Sequence, residues 1–177
     1  HGPPGHSARD FGHSRGIGRA IVQVLAAAGM EVVFTYRENA AAAAEAVASA
    51  NGAKVASEAV DVRDAAACAA LAEKVFERTG RIDLLVNNAG VIRDNPLAAL
   101  EPEDVNVVLA TNVEGTFNMT RAVVPFMISK RRGKIVNISS VAGEKGGRGQ
   151  TNYAASKGAI NAFTRALAVE VAPRGIT

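Results

Sequence analysis

Tryptophan is absent from this 177-residue chain, cysteine occurs once, and aromatic residues make up only 5% of it. A single cysteine, Cys68, cannot form an internal disulfide, which excludes a disulfide-stapled secreted module. No run reaches the roughly 18 apolar residues of a membrane-spanning helix. Aromatic stacking residues are few and the basic residues are scattered, so the net charge of +3 does not indicate a nucleic-acid partner. We therefore predict a cytoplasmic globular protein without membrane, nucleic-acid or metal sites.

The length and the order of apolar segments predict one α/β domain over residues 1–177. Short β-branched runs alternate with alanine-rich segments, which is typical of βαβ units and a parallel sheet covered on both faces. Strands are predicted at 31–36, 54–60, 82–86 and 134–139. Helices are predicted at 16–28, 38–51, 64–79, 103–129 and 153–172, and Pro125 is expected to bend or end the fourth of them.

A glycine-rich loop lies directly before the first predicted helix. Glycine lets the backbone approach a pyrophosphate, and a helix N-terminus favours the negative charge. The loop therefore predicts a dinucleotide site. Its candidate residues are Gly12, Ser14, Arg15, Gly16, Ile17 and Gly18.

The strand after this helix ends in Arg37, where NAD-binding folds usually carry an acid that binds the adenosine ribose. Arg15 and Arg37 are suited to hold a 2′-phosphate, so we expect NADP(H). Glu38 is the neighbour that weakens this expectation. The alternative is that both arginines are solvated surface groups.

The ends of two further predicted strands carry candidate cofactor residues. In parallel sheets such ends meet at one edge, which is where ligands bind. The residues are Asp61, Val62, Asn88, Ala89 and Gly90.

Tyr153 and Lys157 stand four residues apart in a predicted helix, and Ser140 follows a strand thirteen positions before Tyr153. This spacing places the phenol and the ammonium on one helix face, where the positive charge favours the phenolate. Tyr153 would then be a proton donor, and the Ser140 hydroxyl could polarise a carbonyl. The alternative is an ordinary surface pair on an alanine-rich helix.

In this order, the motifs resemble the short-chain dehydrogenase/reductase family over residues 12–177. That resemblance implies a Rossmann-like doubly wound parallel β-sheet flanked by helices. It rests on the glycine loop, the Asn-Asn-Ala-Gly turn at 87–90, Asp61, Asn112, Ser140, Tyr153 and Lys157.

The resemblance also implies roles for four catalytic residues. Tyr153 is the proton donor, and Lys157 holds the nicotinamide ribose and lowers the Tyr153 pKa. Ser140 binds the carbonyl oxygen, with Ser139 as a competing candidate. Asn112 supports a water relay, and its alternative is a helix-capping or buried amide.

Within the family, segments 146–153 and 171–177 are most similar to the 3-oxoacyl-[acyl-carrier-protein] reductases. This likeness implies NADPH-dependent reduction of a 3-oxoacyl thioester, carried by acyl-carrier protein or coenzyme A. Arg131 and Arg174 would dock the acidic carrier; the alternative is solvated charge. Another alcohol, sugar or steroid dehydrogenase, or a catalytically silent nucleotide-binding fragment, stays open as an alternative function.

Both ends of the sequence depart from the family pattern. Residues 1–11 carry Pro3 and Pro4 and do not read as the apolar first strand of the family. Family members also continue beyond the segment matching 171–177 with a substrate-binding part and a last strand that helps to form tetramers. We therefore expect a degenerate first strand, no C-terminal strand, and a tetramer only in the complete fold.

Overall fold

The computed structural model of the chain describes residues 16–50 and 53–177. Strands and helices alternate along most of this length, as the sequence predicts. The strands are β1 Val32–Tyr36, β2 Val55–Ala59, β3 Leu84–Asn87 and β4 Lys134–Asn137. The helices are α1 Gly16–Ala27, α2 Ala40–Ala48, α3 Ala65–Thr79, α4 Pro102–Leu109, α5 Gly115–Lys130 and α6 Thr151–Val171.

Polar caps and a glycine fix the ends of the helices between strands. The Asp64 side chain accepts hydrogen bonds from the Ala66 and Ala67 amides and starts α3. The same helix ends at Gly80, whose left-handed φ of 71° suits glycine. Asn39 caps the start of α2 as Asp64 caps α3, because its side chain accepts a hydrogen bond from the Ala42 amide. The two side chains thus fix where α2 and α3 begin, and Gly80 fixes where α3 ends before β3.

The described strands form two parallel pairs. β1 pairs with β2, with Val32 opposite Val55, and β3 pairs with β4, with Leu84 opposite Lys134. In both pairs the connection contains at least one helix, as parallel pairing requires. The expected α/β architecture is confirmed, whereas the expected degenerate first strand falls on residues outside those that the structure describes.

Each strand pair packs against its own helices. Val22 of α1, Phe34 of β1 and Ala43 of α2 are buried together in one apolar cluster. Leu85 of β3 and Met127 of α5 are buried in the other, with Ala72, Val123, Val171 and Ile176. Removal of this apolar surface from water is the main stabilising contribution to each half.

A cavity of about 150 Å³ lies between β1 and β3. Its lining includes Thr35 at the end of β1, Val62 after β2, and Asn87, Asn88 and Ala89 at the end of β3. Most of the lining is apolar and runs along the length of both strands, including Val33, Phe34, Leu84 and Leu85.

The predicted helix 103–129 is interrupted at a position that no residue pattern indicates. A π-helical segment, Ala110–Glu114, separates α4 from α5. Pro125 was expected to bend or end this helix; it does not end it, because α5 continues through Pro125 to Lys130. Such π segments are frequent at functional sites, and the buried Asn112 side chain within this one makes three hydrogen bonds.

Candidate active site

Helix α6 brings Tyr153 and Lys157 together. The Lys157 Nζ atom lies 5.7 Å from the centre of the Tyr153 ring. Lys157 is 6% exposed, while Tyr153 is half-buried and reaches the surface. A cation near an aromatic ring is attracted to its face, and burial strengthens this attraction. The arrangement places a positive charge beside a tyrosine ring that is partly exposed to solvent.

Lys157 is held from two sides by the end of β4. Its Nζ donates to the Ile138 carbonyl at 2.8 Å, and the Ser139 hydroxyl donates to the Lys157 carbonyl at 3.3 Å. Burial lowers the pKa of the Lys157 ammonium, because desolvation disfavours the charged form. Since an ammonium has three donors and the Ile138 carbonyl takes one, two remain for other groups.

Ser140 caps a short 3-10 turn, Val141–Gly143, directly after β4. Its Oγ accepts a hydrogen bond from the Ala142 amide at 3.2 Å. Because the hydroxyl acts there as acceptor, its proton stays free to be donated elsewhere. Ser139, the competing candidate, instead donates its proton to the Lys157 carbonyl. The geometry favours Ser140 as the hydroxyl for a substrate oxygen.

Gly143 lets this turn lie directly against α6. A Cβ atom added there would stand 2.7 Å from the Lys157 carbonyl carbon and 2.9 Å from the Gly158 nitrogen. These are backbone atoms, which cannot move aside as a flexible side chain would. The close approach therefore fixes the position of the Ser140 turn relative to Lys157.

Asn112 has a fully buried side chain, 1% exposed. Its Oδ1 accepts from the Val91 amide at 2.8 Å, and its Nδ2 donates to the Val91 carbonyl at 3.1 Å and to Ser156 Oγ at 3.0 Å. The Asn112 carbonyl accepts from the Thr116 hydroxyl at 2.8 Å. The side chain of Asn112 is therefore a buried amide, which is the alternative that the sequence left open.

The turn after β3 approaches Asn112 closely. Asn88 is buried, and a Cβ added at Gly90 would stand 3.3 Å from Asn112 Oδ1. Together with Ala89, Asn88 lines the cavity between the strand pairs. The predicted cofactor residues of this turn therefore adjoin Asn112, one of the predicted catalytic residues.

Asp61 is engaged by a residue that the sequence analysis missed. Arg63 Nε lies 2.9 and 3.0 Å from the two Asp61 oxygens, and the Arg63 amide also donates to Oδ1. Hydrogen bonding from Arg63 lowers the pKa of the Asp61 carboxyl. Asp61 is thus held as a carboxylate, and the Asp-x-Arg spacing was the signal for the pair. The neighbouring Val62 carbonyl accepts from Asn118 Nδ2 at 3.0 Å.

Arg37 lies at the end of β1, as predicted, and pairs with its neighbour. Its Nε and Nη2 each lie 2.9 Å from Glu38 Oε1, on the exposed surface. Glu38 therefore does compete for the guanidinium. Arg37 also contributes, as the smallest effect, to lowering the pKa of Asp61, so the two predicted cofactor residues share one electrostatic environment.

The glycine loop is described only in part. Gly12, Ser14 and Arg15 lie outside the described residues. Gly16, with a φ of 54°, opens α1; Ile17 is 60% exposed and Gly18 is buried.

The sequence model of the short chain dehydrogenase family matches residues 11–177. The chain belongs to this family. It is 44% identical over 167 residues to 3-oxoacyl-[acyl-carrier-protein] reductase FabG of Escherichia coli (strain K12), covering 94% of this chain and 67% of the relative. It is 42% identical over 168 residues to the 3-oxoacyl-[acyl-carrier-protein] reductase of Synechocystis sp., covering 94% and 68%. The predicted resemblance is confirmed.

A solved structure supports the same assignment. The gluconate 5-dehydrogenase of Burkholderia cenocepacia J2315, in complex with NADP and tartrate, superposes with a TM-score of 0.88 and is 37% identical. The match covers 94% of this chain and 66% of the dehydrogenase, so the chain spans about two thirds of its relatives.

Arg131 and Arg174 meet at one corner of this short-chain dehydrogenase. Arg131 ends α5 with a φ of 49°, and its Nη2 donates to the Pro173 carbonyl at 3.2 Å. A Cβ added at Gly175 would stand 2.5 Å from the Arg131 carbonyl oxygen, so the two segments touch. Both arginines are exposed. The corner presents two positive charges to solvent.

Two other types of site are absent from residues 16–50 and 53–177. No group of three or more His, Cys, Asp or Glu side chains in these ranges could hold a metal ion. No helix there is long and apolar enough to cross a membrane.

Proposed function

We propose that this short-chain dehydrogenase is an NADP(H)-dependent reductase that converts a 3-oxoacyl thioester into a 3-hydroxyacyl thioester. The observation that carries the proposal is the buried Lys157 ammonium beside the Tyr153 ring, with the Ser140 turn packed on the Lys157 backbone. The names of the relatives from Escherichia coli and Synechocystis support the substrate class.

The proton in this reaction comes from Tyr153. As negative charge develops on the substrate oxygen, the phenol donates its proton to that oxygen and becomes a phenolate. The Lys157 ammonium stabilises the phenolate, and more strongly than in water because it is buried. The Ile138 carbonyl holds Nζ in place during this step.

Ser140 acts on the same oxygen. Its hydroxyl proton is free, because Oγ accepts from the Ala142 amide, and it can therefore donate to the developing oxyanion. A donor held in place before the reaction needs no reorganisation as the charge forms. Asn112 would contribute through its main-chain carbonyl, to which a relay water can hydrogen bond.

The residues present fit NADP(H). Val62, Asn88 and Ala89 follow the carboxyl ends of β2 and β3, which is where parallel sheets bind dinucleotides. Arg37 supplies a positive charge for a 2′-phosphate, in exchange for its bond to Glu38. Lys157 retains two donors for ribose hydroxyls. The chemistry supplied by the bound cofactor is donation of a hydride to the carbonyl carbon.

The two-arginine corner suits a carrier-bound substrate. Acyl-carrier proteins are acidic, and positive charges on the enzyme surface increase the rate of encounter with such a partner. Arg131 and Arg174 lie on the segments that follow α5 and α6, and α6 carries the catalytic Tyr153 and Lys157. We propose this corner as the carrier-docking surface.

The test is consumption of NADPH or NADH with acetoacetyl carrier protein and acetoacetyl-CoA. We expect turnover with NADPH on both thioesters. Arg131→Ala and Arg174→Ala should each raise KM for the carrier-bound substrate about threefold to tenfold and leave KM for the CoA substrate unchanged. Arg165→Ala removes an exposed arginine within α6, outside the two-arginine corner, and is the matched control. Equal effects on both thioesters would refute the docking surface.

A second candidate function is the oxidation of a sugar acid. The structural similarity to gluconate 5-dehydrogenase favours it, because the same proton donor serves a secondary alcohol in the reverse direction. Turnover of gluconate with NADP, in the absence of turnover on either thioester, would replace the proposed substrate class.

A further inference from the structure

Ser156 lies between the two residues of the catalytic pair and is completely buried. Its Oγ donates to the Tyr153 carbonyl at 2.7 Å and accepts from Asn112 Nδ2 at 3.0 Å. One hydroxyl thus joins the first turn of α6 to the π-helical segment that carries Asn112.

The direction of these hydrogen bonds is fixed by donor count. The Tyr153 carbonyl can only accept, so the single Ser156 proton goes to it and Oγ must accept from Asn112. The Val91 amide can only donate, so Asn112 Oδ1 faces it and Nδ2 faces Ser156. The orientation of the Asn112 amide, and with it the position of the Asn112 main chain, is therefore determined by its neighbours.

A second bond, one turn earlier in α6, ties the same loop. Asn152 is buried, and its Nδ2 donates to the Arg93 carbonyl at 2.9 Å. Val91 and Arg93 belong to the loop after β3, so α6 contacts this loop through Asn152 and, by way of Asn112, through Ser156. Tyr153 lies between the two attachment points.

We propose that Ser156 is a positioning residue of the active site, which holds the Tyr153 main chain and Asn112 in register for proton transfer. This inference rests on the proposed function. Ser156 acts through Tyr153 and Asn112, and the Ala substitution removes its hydroxyl without adding bulk. The Asn112 amide keeps both of its bonds to Val91 in the variant, so we expect the fold to persist.

The turnover experiment compares Ser156→Ala with Thr164→Val. Thr164 is also in α6, accepts from an asparagine amide, Asn137 Nδ2, and donates to the Ile160 carbonyl. Thr164 therefore makes the same two kinds of hydrogen bond as Ser156, but it does not bond to Tyr153 or Asn112. We expect Ser156→Ala to lower kcat about tenfold with KM for NADPH within about twofold, because misplaced catalytic groups reduce the chemical step. Thr164→Val should leave both constants unchanged.

A second readout does not require turnover. In nuclear magnetic resonance spectra, Ser156→Ala should shift the Asn112 side-chain amide and the Tyr153 ring signals and speed exchange of the Asn112 amide protons. Thr164→Val should shift the Asn137 amide and leave those signals in place. If the unaltered chain consumes no NADPH, the proposed function fails, and the spectra still decide the role of Ser156. An unchanged kcat of Ser156→Ala in an active enzyme, or unchanged Asn112 and Tyr153 signals, would overturn the positioning role of Ser156.

Discussion

Gly143 offers the sharpest test of how the Ser140 turn is held against α6. In Gly143→Ala the new Cβ would meet the Lys157 carbonyl carbon at 2.7 Å, the Gly158 nitrogen at 2.9 Å and the Lys157 oxygen at 3.0 Å. The first distance is about 0.8 Å shorter than the roughly 3.5 Å of normal carbon contacts. The turn and the helix must therefore move apart.

The magnitude follows from two opposing effects. Overpacking of this kind costs about 1 to 3 kcal/mol of unfolding free energy. Replacing glycine by alanine restricts the unfolded chain and returns about 0.4 to 1 kcal/mol. We expect Gly143→Ala to lose about 1 to 2 kcal/mol net, since Gly143 does not have a positive φ that would add strain.

The assay is urea unfolding followed by circular dichroism, with Gly146→Ala as the matched control. Gly146 lies in the same loop, and no heavy atom lies within 4 Å of its added Cβ. The control should match or slightly exceed the unaltered chain in stability. Because the Ser140 turn moves, Gly143→Ala should also lower kcat. If the two alanine variants unfold at the same urea concentration, the inferred close packing is wrong.

Three further predictions concern residues around the strand ends. Arg63→Gln should lower the melting temperature at pH 7, because Arg63 stabilises the Asp61 carboxylate. The difference in melting temperature between the variant and the unaltered chain should disappear as the pH falls through the lowered Asp61 pKa. A difference that persists in acid would contradict the role of this ion pair. Burial raises the pKa of the Cys68 thiol to about 11, so alkylation at pH 8 should be slow in the native chain and fast in urea. Gly115→Ala places a Cβ 2.5 Å from Val62 Cγ2 and should lower the free energy of unfolding, measured in urea, by about 1 to 3 kcal/mol. Adding Val62→Ala should recover most of this free energy. If the free-energy losses of the two substitutions simply add, the two residues are not in contact.

The proximity of Tyr153 and Lys157 was predictable because it depends on helix periodicity. Residues four apart share a face in any α-helix, and Tyr153 and Lys157 both lie within α6. The strand-end residues Asp61 and Asn88 were predictable for a similar reason, since parallel strands present their carboxyl ends at one edge. The first inference needs only the periodicity of a helix, and the second needs only the common direction of parallel strands.

The supporting residues depend on tertiary contacts that one sequence does not encode locally. Gly143 matters because α6 passes within contact distance of the turn, and Ser156 matters because its hydroxyl meets Asn112, 44 positions away. The π-helical segment Ala110–Glu114 was missed because its composition is that of an ordinary helix. The ion pair between Arg63 and Asp61 was not predicted, although the two residues stand only two positions apart in the sequence.

The most direct test of the proposed reductase compares the unaltered chain with Tyr153→Phe. The variant loses only the phenolic oxygen, so NADPH binding, measured by cofactor fluorescence, should persist. Consumption of NADPH with acetoacetyl carrier protein should fall at least about a hundredfold, because the proton donor is gone. Turnover by Tyr153→Phe at the rate of the unaltered chain, or no turnover by the unaltered chain, would contradict the proposed mechanism.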